Sequence, residues 1–260
     1  HTGGPNFAFD LCVDGIVTTD RAKLDLSSLH SFYSGSEPVR KATFDRFTEN
    51  FQPYGFRHQM LLPAYGMAET TLIITGPECG RGPVSLCLSA SALEQNRVVP
   101  APPEGVDARY LIGVGYPWLD TEIMIVHPET TQPCERDEVG EIWVHGSIVT
   151  KGYWNKPELT VEMFQAQIAG QPGKNWFRTG DLGFIHQGEA YITGRLKDLI
   201  IIHGKNYYPQ DIEFVVTESH PDLKANACAA FSIEADEEEK LVITAEVKRT
   251  VLRRINVDAI

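Results

Sequence analysis

The sequence predicts an α/β protein in three parts: an α/β layer, a small β-rich part resembling a barrel, and a separate small α+β unit. Three observations predict it. Between His30 and Pro63 the chain alternates strand-like and helix-like periods, as layered α/β folds do. From Arg109 onward, short apolar runs are split by turn residues, the pattern of a small barrel or sandwich. Beyond Gly194 the order becomes strand, helix, strand, strand.

Taken in order, Phe7 to Val17 fits either a short buried helix or a strand. A strand at His30 to Tyr33 leads into a small-residue turn, Ser34-Gly35-Ser36-Glu37-Pro38. Val39, Ala42, Phe44, Phe47 and Phe51 then recur at near-helical spacing, with Pro38 in the first turn and Pro53-Tyr54-Gly55 at the end. Met60 to Pro63 reads as a strand, Tyr65 to Thr71 as a tight polar turn, and Leu72 to Ile74 as a second strand. Residues 75–112 hold a strand-like run (Val84 to Leu88), a short polar helix (Ser91 to Gln95) and a Pro-rich stretch (Pro100 to Pro103). Connections beyond about 12–15 residues are uncommon inside a domain, so this segment reads as an insertion.

Strands are expected at Tyr110 to Val114, Glu122 to Val126 and Val139 to Val144. A helix is expected at Pro157 to Ile168, with Val161, Phe164 and Ile168 on one face. Phe184 to His186 and Ala190 to Thr193 read as a hairpin around Gln187-Gly188. The last unit holds a strand at Leu199 to Ile202, and a helix from Pro209 with Ile212, Val215 and Val216 inside. Strands at Cys228 to Ile233 and Leu241 to Val247 flank an acidic turn, Glu234 to Glu239. The end at Ile260 reads as the first turn of another helix.

Composition narrows the function classes. The chain has 260 residues, 42% hydrophobic and 22% charged, near the globular average. A net charge of −12 argues against a nucleic-acid or anionic-membrane surface, though not against a nucleotide held by local groups. The 5 cysteines are scattered without a C-x-x-C, which points to a reducing, cytoplasmic setting. No apolar run nears the roughly 18 residues of a membrane span. The chain opens at His1 without a methionine, so a fragment of a longer protein is expected.

Three stretches carry chemistry. In Tyr65-Gly66-Met67-Ala68-Glu69-Thr70-Thr71, an aromatic ring, a glycine backbone and a carboxylate stand together. A nucleotide needs a stacking face, close backbone approach and an oxygen ligand for the magnesium on its phosphates. In Trp176-Phe177-Arg178-Thr179-Gly180-Asp181, the Asp carboxylate can accept both hydroxyls of a ribose. In Gly194-Arg195-Leu196-Lys197-Asp198, a guanidinium suits nucleotide oxygens, and the glycine and lysine suit a rotation point. Each also has a plain structural reading: a surface loop, a backbone-capping Asp and a basic turn.

Together YGMAETT, WFRTGD and GRLKDLII, in this order, resemble the adenylate-forming superfamily of acyl-CoA synthetases, luciferases and peptide-synthetase adenylation domains. In finer detail, HTGGPNFAFDLCV, SGSEPVR, GMAETTL and GKNYYPQDIE resemble its fatty-acyl-AMP ligase branch, which carries an insertion where residues 75–112 lie. The resemblance implies the adenylate-forming fold. Residues 1–194 would be the C-terminal part of the large domain, with 109–193 barrel-like. Residues 195–260 would begin the small mobile domain, with a hinge at 194–197.

It also implies roles. Tyr65 would stack on adenine, with Gly35, Ser36, Glu37, Gly66, Met67 and Ala68 around it. Glu69 would hold Mg2+, Asp181 the ribose, and Arg195 ribose or phosphate oxygens. Lys197 would mark the pivot, and Gly204 to Pro209 would face a pantetheine path. Gly3, Gly4, Pro5 and Asn6 would line an acyl channel. The implied reaction is ATP-dependent activation of a long-chain fatty acid to acyl-AMP, then transfer to an acyl carrier protein or a synthase carrier domain. The insertion is expected to disfavour free CoA as acceptor. An acyl-CoA synthetase and a non-catalytic adenylate-binding module are the alternatives.

Two departures stand out. Ala68 replaces a threonine common in the superfamily, although the ligase branch shares the alanine. The family's phosphate loop belongs upstream of His1 and its late lysine downstream of Ile260, so these residues alone are not expected to catalyse adenylation.

Overall fold

Three short parallel strands, Thr2–Gly3, Phe32–Ser34 and Leu61–Pro63, form the first sheet in that order. The structure, a computed structural model, describes residues 1–202, 204–235 and 238–252. It divides into two units, His1–Thr193 and Gly194–Ile260.

In the first unit, helices Asn6–Gly15 and Lys41–Phe51 pack with the sheet around a cluster of phenylalanines. Phe9 meets Phe32 edge-on at 4.6 Å, and Phe47 stacks on Phe51 at 4.5 Å. Such pairs contribute about 0.5–1.5 kcal/mol each beyond their buried area. The undecided first element is therefore a helix; its buried Phe9 and Val13 lie four residues apart, on one helical face.

The second helix begins at Lys41 rather than near Pro38. Asn6, 1% exposed, donates its amide to the Pro38 carbonyl at 2.8 Å and accepts from the Arg40 backbone at 3.1 Å. This clamp takes backbone groups that a longer helix would use, and Arg40 is extended.

Leu72 to Ile74 is not a strand. Thr71 and Leu72 have φ of 56° and 101°, outside the extended range of a regular strand. The strand starts later, as Thr75–Gly76, and pairs with Tyr116–Pro117.

Residues 75–112 are folded, not a loose excursion. Ser85–Ser89 pairs antiparallel with Ala108–Ile112. A short helix, Ala90–Leu93, is capped by the Ser89 side chain. Asp107 accepts from both Ser89 and Ser91, and the Ser89 hydroxyl, first among these donors, holds its carboxyl below the usual range. Backbone bonds from Val98 to Asp137 and from Val139 to Asn96, each 2.8 Å, tie the segment to the rest of the unit. Arg81 pairs at 3.1 Å with Glu189, whose side chain is 4% exposed.

The β-rich part is a five-stranded antiparallel sheet. Its path runs Ala166–Ile168, Gln171–His186, Gly140–His145, Glu122–Val126, and Glu189–Arg195 pairs with the long second strand. On Gly140–His145, Ile142 and Val144 face one cluster and Trp143 another, so both faces of this central strand are covered. The helix before the sheet ends at Phe164, and Ile168 sits in a strand instead. Ala166 pairs with Trp176, which commits those residues to the sheet.

In the second unit, Ile200–Ile202 pairs with Lys205–Tyr207, and the helix Pro209–Ser219 precedes a hairpin of Leu223–Ala235 and Glu238–Val247. Glu213 accepts from the Ala230 backbone at 3.1 Å, tying helix to hairpin. Val215, expected inside, is 66% exposed. The tip of the acidic turn and the expected final helix lie outside the described residues. No helix among the described residues is long and apolar enough to cross a membrane.

Leu93 is fully buried within the 75–112 segment. Leu93→Ala is expected to destabilise the protein by about 2–5 kcal/mol in urea unfolding. A change below about 0.5 kcal/mol would mean the segment is not part of the packed unit.

Candidate functional site

The two turns that follow the adjacent parallel strands Phe32–Ser34 and Leu61–Pro63 emerge side by side at their C-terminal ends. That edge is where layered α/β folds place ligands. The Ala64 amide donates to the Ser34 carbonyl at 2.8 Å. A Cβ on Gly35 would lie 2.9 Å from the Ala64 carbonyl, so only glycine lets the turns pass this closely. Ser36 and Glu37 are exposed beside it. Gly35, Ser36, Glu37, Tyr65, Gly66, Met67 and Ala68 thus share one edge of the sheet.

The third strand's turn is closed tightly. Leu72 and Thr70 both donate backbone N–H groups to the Met67 carbonyl at 3.1 Å. A Cβ on Gly66 would lie 1.6 Å from the Leu72 carbonyl oxygen. The turn's own backbone therefore requires glycine at 66, apart from any ligand.

Across a separation of 116 residues, the Tyr65 hydroxyl donates to Asp181 Oδ2 at 2.8 Å. Both residues are buried, Tyr65 at 9% and Asp181 at 6% exposure. The tyrosine ring packs on one side in the cluster with Ile74, Val114 and Ile125, while its polar tip meets Asp181.

Asp181 does not sit in a simple turn. It lies within the strand Gln171–His186, where the register against Gly140–His145 shifts between Arg178 and Leu182. Gly180 takes φ 71° at this irregularity. The Asp181 amide donates to Thr179 Oγ1 at 3.0 Å, and that hydroxyl donates to the Ile142 carbonyl at 2.7 Å. Bulges of this kind re-aim a side chain out of the pleat.

Glu69 sits in the 3-10 turn Ala68–Thr70 and is half-buried. The Tyr153 hydroxyl donates to its Oε1 at 2.8 Å, and its backbone carbonyl accepts from Thr150, also at 2.8 Å. Burial, aided by Glu69, pushes the Tyr153 phenol up to about 12, so it remains a donor at neutral pH. Sequence reasoning missed Tyr153; a lone tyrosine after Lys151-Gly152 carries no spacing signal. Among the described residues no group of three or more His, Cys, Asp or Glu could hold a metal. Magnesium is commonly bound by one or two carboxylates with substrate phosphates and water, and Glu69 fits that donor set.

Gly3 lies in the parallel sheet, where a Cβ would be 2.2 Å from the Tyr33 carbonyl, and Gly4 donates to that carbonyl at 3.0 Å. Pro5 precedes the first helix, and Asn6, its first residue, clamps the Pro38–Arg40 backbone. Arg195 and Lys197 belong to the second unit and are exposed, Lys197 in the turn Leu196–Asp198. In that unit a Cβ on Gly194 would lie 2.7 Å from the Tyr208 ring. A surface cleft of about 410 Å³ beside Phe56 and His58 contains none of the expected site residues.

A family model described as AMP-binding enzyme matches residues 2–154. The chain belongs to this family. It is 43% identical over 263 residues to the medium-chain-fatty-acid–[acyl-carrier-protein] ligase JamA of Moorena producens (strain JHB), covering 100% of this chain and 44% of that relative. It is 40% identical over 252 residues to the long-chain-fatty-acid–AMP ligase FadD26 of Mycobacterium tuberculosis, covering 95% and 42%. A fatty acyl-adenylate ligase from L. pneumophila, solved with acyl adenylate and pyrophosphate, superposes with TM-score 0.74 at 43% identity, covering 99% of this chain and 44% of that one. The chain thus spans less than half the length of these relatives, and its fold is the adenylate-forming one.

Gly66→Ala is expected to destabilise the protein by about 1–3 kcal/mol through overpacking and to speed hydrogen exchange at the Leu72 amide. Urea unfolding with exchange mass spectrometry checks both. Wild-type values would show that the turn tolerates a Cβ.

Proposed function

We propose that the full-length protein carrying this sequence activates a long-chain fatty acid as its adenylate. It then passes the acyl group to the phosphopantetheine thiol of an acyl carrier protein or synthase carrier domain. The observation that carries this reading is the hydrogen bond from Tyr65 to Asp181, which joins two nucleotide motifs across 116 residues of an AMP-binding family member. The names of JamA and FadD26 support the substrate and acceptor.

In the first step, a fatty-acid carboxylate oxygen attacks the α-phosphorus of ATP, and the bond to the β-phosphate oxygen breaks to release pyrophosphate. In the second, the thiol sulfur attacks the acyl carbon, AMP leaves, and the thiol proton goes to solvent or AMP. Such chemistry asks the protein chiefly for positioning and charge neutralisation. Tyr65 would stack on adenine, with Gly35, Ser36, Glu37, Gly66, Met67 and Ala68 along its edge. Asp181 would accept from the ribose, since a carboxylate offers about four acceptor positions. Glu69 would ligate Mg2+, oriented by Tyr153. Arg195 would contact ribose or phosphate oxygens, and 194–197 would be the pivot between the two steps. Segment 75–112 is the family insertion in this reading, and the cytoplasm is its setting.

The test incubates the full-length protein with dodecanoic acid, ATP and Mg2+, offers CoA and a carrier protein separately, and weighs the products by mass spectrometry. Acyl-AMP and acyl-carrier with little acyl-CoA are expected. Abundant acyl-CoA would make the protein an acyl-CoA synthetase. ATP binding without any adenylate would make it a non-catalytic module.

A further inference from the structure

Glu141 has no part in the roles above, yet it is a buried carboxylate met by N–H groups of Trp143, Arg178 and Gly180. It stands on the strand Gly140–His145 and is 1% exposed. Its Oε2 accepts from Trp143 Nε1 at 2.9 Å and from Arg178 Nη2 at 2.7 Å. Arg178 Nε reaches Oε2 at 3.0 Å and Oε1 at 3.3 Å. Oε1 also accepts the Gly180 backbone N–H at 3.2 Å.

Stability alone explains such a pair poorly. Replacing a buried ion pair with well-packed apolar residues is often neutral or stabilising. What distinguishes this one is where its donors lie. Arg178 is the last residue in register before the shift, and Gly180, at φ 71°, lies inside it. One carboxylate therefore grips the entry to the bulge and the residue directly before Asp181. The strand gains two residues over its partner between Arg178 and Leu182, and a one-residue slip of 179–181 within that slack would turn Asp181 to the opposite face.

We propose that Glu141 is a positioning residue for nucleotide selection, holding the 179–181 bulge so that Asp181 meets the ribose hydroxyls. This rests on the assignment of Asp181 to the ribose made above. Glu141 touches no nucleotide itself; it acts through the Gly180 amide. Arg178 neutralises its charge and fixes the orientation of the carboxylate. Glutamine at 141 keeps the shape but turns an NH2 donor toward either Arg178 or the Gly180 N–H, so one side of the grip is lost.

The readout is the ratio of 2′-deoxyATP to ATP dissociation constants, measured by calorimetry on the full-length protein with Mg2+. The same ratio in kcat/KM with dodecanoic acid accompanies it. A lost hydroxyl bond to a charged acceptor predicts that wild type prefers ATP by about tenfold or more. Asp181→Asn is expected to erase most of that preference. Glu141→Gln is expected to reduce it at least about threefold. Glu141→Asp, which withdraws the carboxylate but keeps its charge, should do the same where the glutamine variant folds poorly. Trp143→Phe removes a donor to Oε2 but leaves the Gly180 contact, so it should lower the melting temperature and keep the preference. If Asp181→Asn loses the preference while both Glu141 variants retain it, the positioning role is wrong. If wild type or Asp181→Asn shows that Asp181 does not set the preference, the ribose assignment itself fails, and this inference with it.

Discussion

A carboxylate removed from water must be met by donors, and that requirement shapes the site. Three carboxylates converge on this region of the first unit, and each has its own donor: Tyr65 for Asp181, Tyr153 for Glu69, and Arg178 with the Gly180 amide for Glu141. The donors come from distant parts of the chain, so satisfying the charges also fixes the fold locally. An unmet buried charge costs several kcal/mol, far more than most single contacts contribute. The arrangement is thus strongly specified although the contacts are few.

Aromatic packing carries the same constraint between the carboxylates. The Tyr153 ring meets Phe164 edge-on at 5.2 Å, and Phe164 meets Phe177 at 4.6 Å. Phe177 is next to Arg178, which grips Glu141. The segment that orients Glu69 and the bulge that aims Asp181 are therefore linked through the half-buried Tyr153 ring and the buried rings of Phe164 and Phe177. The same logic applies to the segment at 75–112, where the Glu189 side chain, 4% exposed, is paired with Arg81.

Much of the site was legible in the sequence because its residues sit in short contiguous stretches. Tyr65, Gly66, Glu69 and Asp181 could be named from the order of the motifs, and the structure brings Tyr65 and Asp181 into direct contact. Glu141 and Tyr153 were not legible. Each is a single residue whose importance comes from a partner 39 residues away, Gly180, or 84 away, Glu69. Strands set by alternation came out close, as with Glu122–Val126. Errors came where a hydrogen bond overrode periodicity: the long-range clamp of Asn6 shortened the helix after Pro38, and the local turn bond to the Met67 carbonyl drew Leu72 out of a strand.

The sequence by itself determined the α/β class, the family to which the motifs point, and the aromatic, glycine and carboxylate groups available to a nucleotide. The class and the available groups follow from composition and local spacing, and the family from the resemblance of the motifs to known members; the chain carries all of these wherever it folds. Only the tertiary structure decided that Tyr65 is a buried donor to Asp181, that Asp181 stands on a bulge rather than in a turn, and that residues 75–112 are packed into the first unit. Each of these depends on which distant backbone and side-chain groups meet once water is excluded, and no local pattern encodes that meeting.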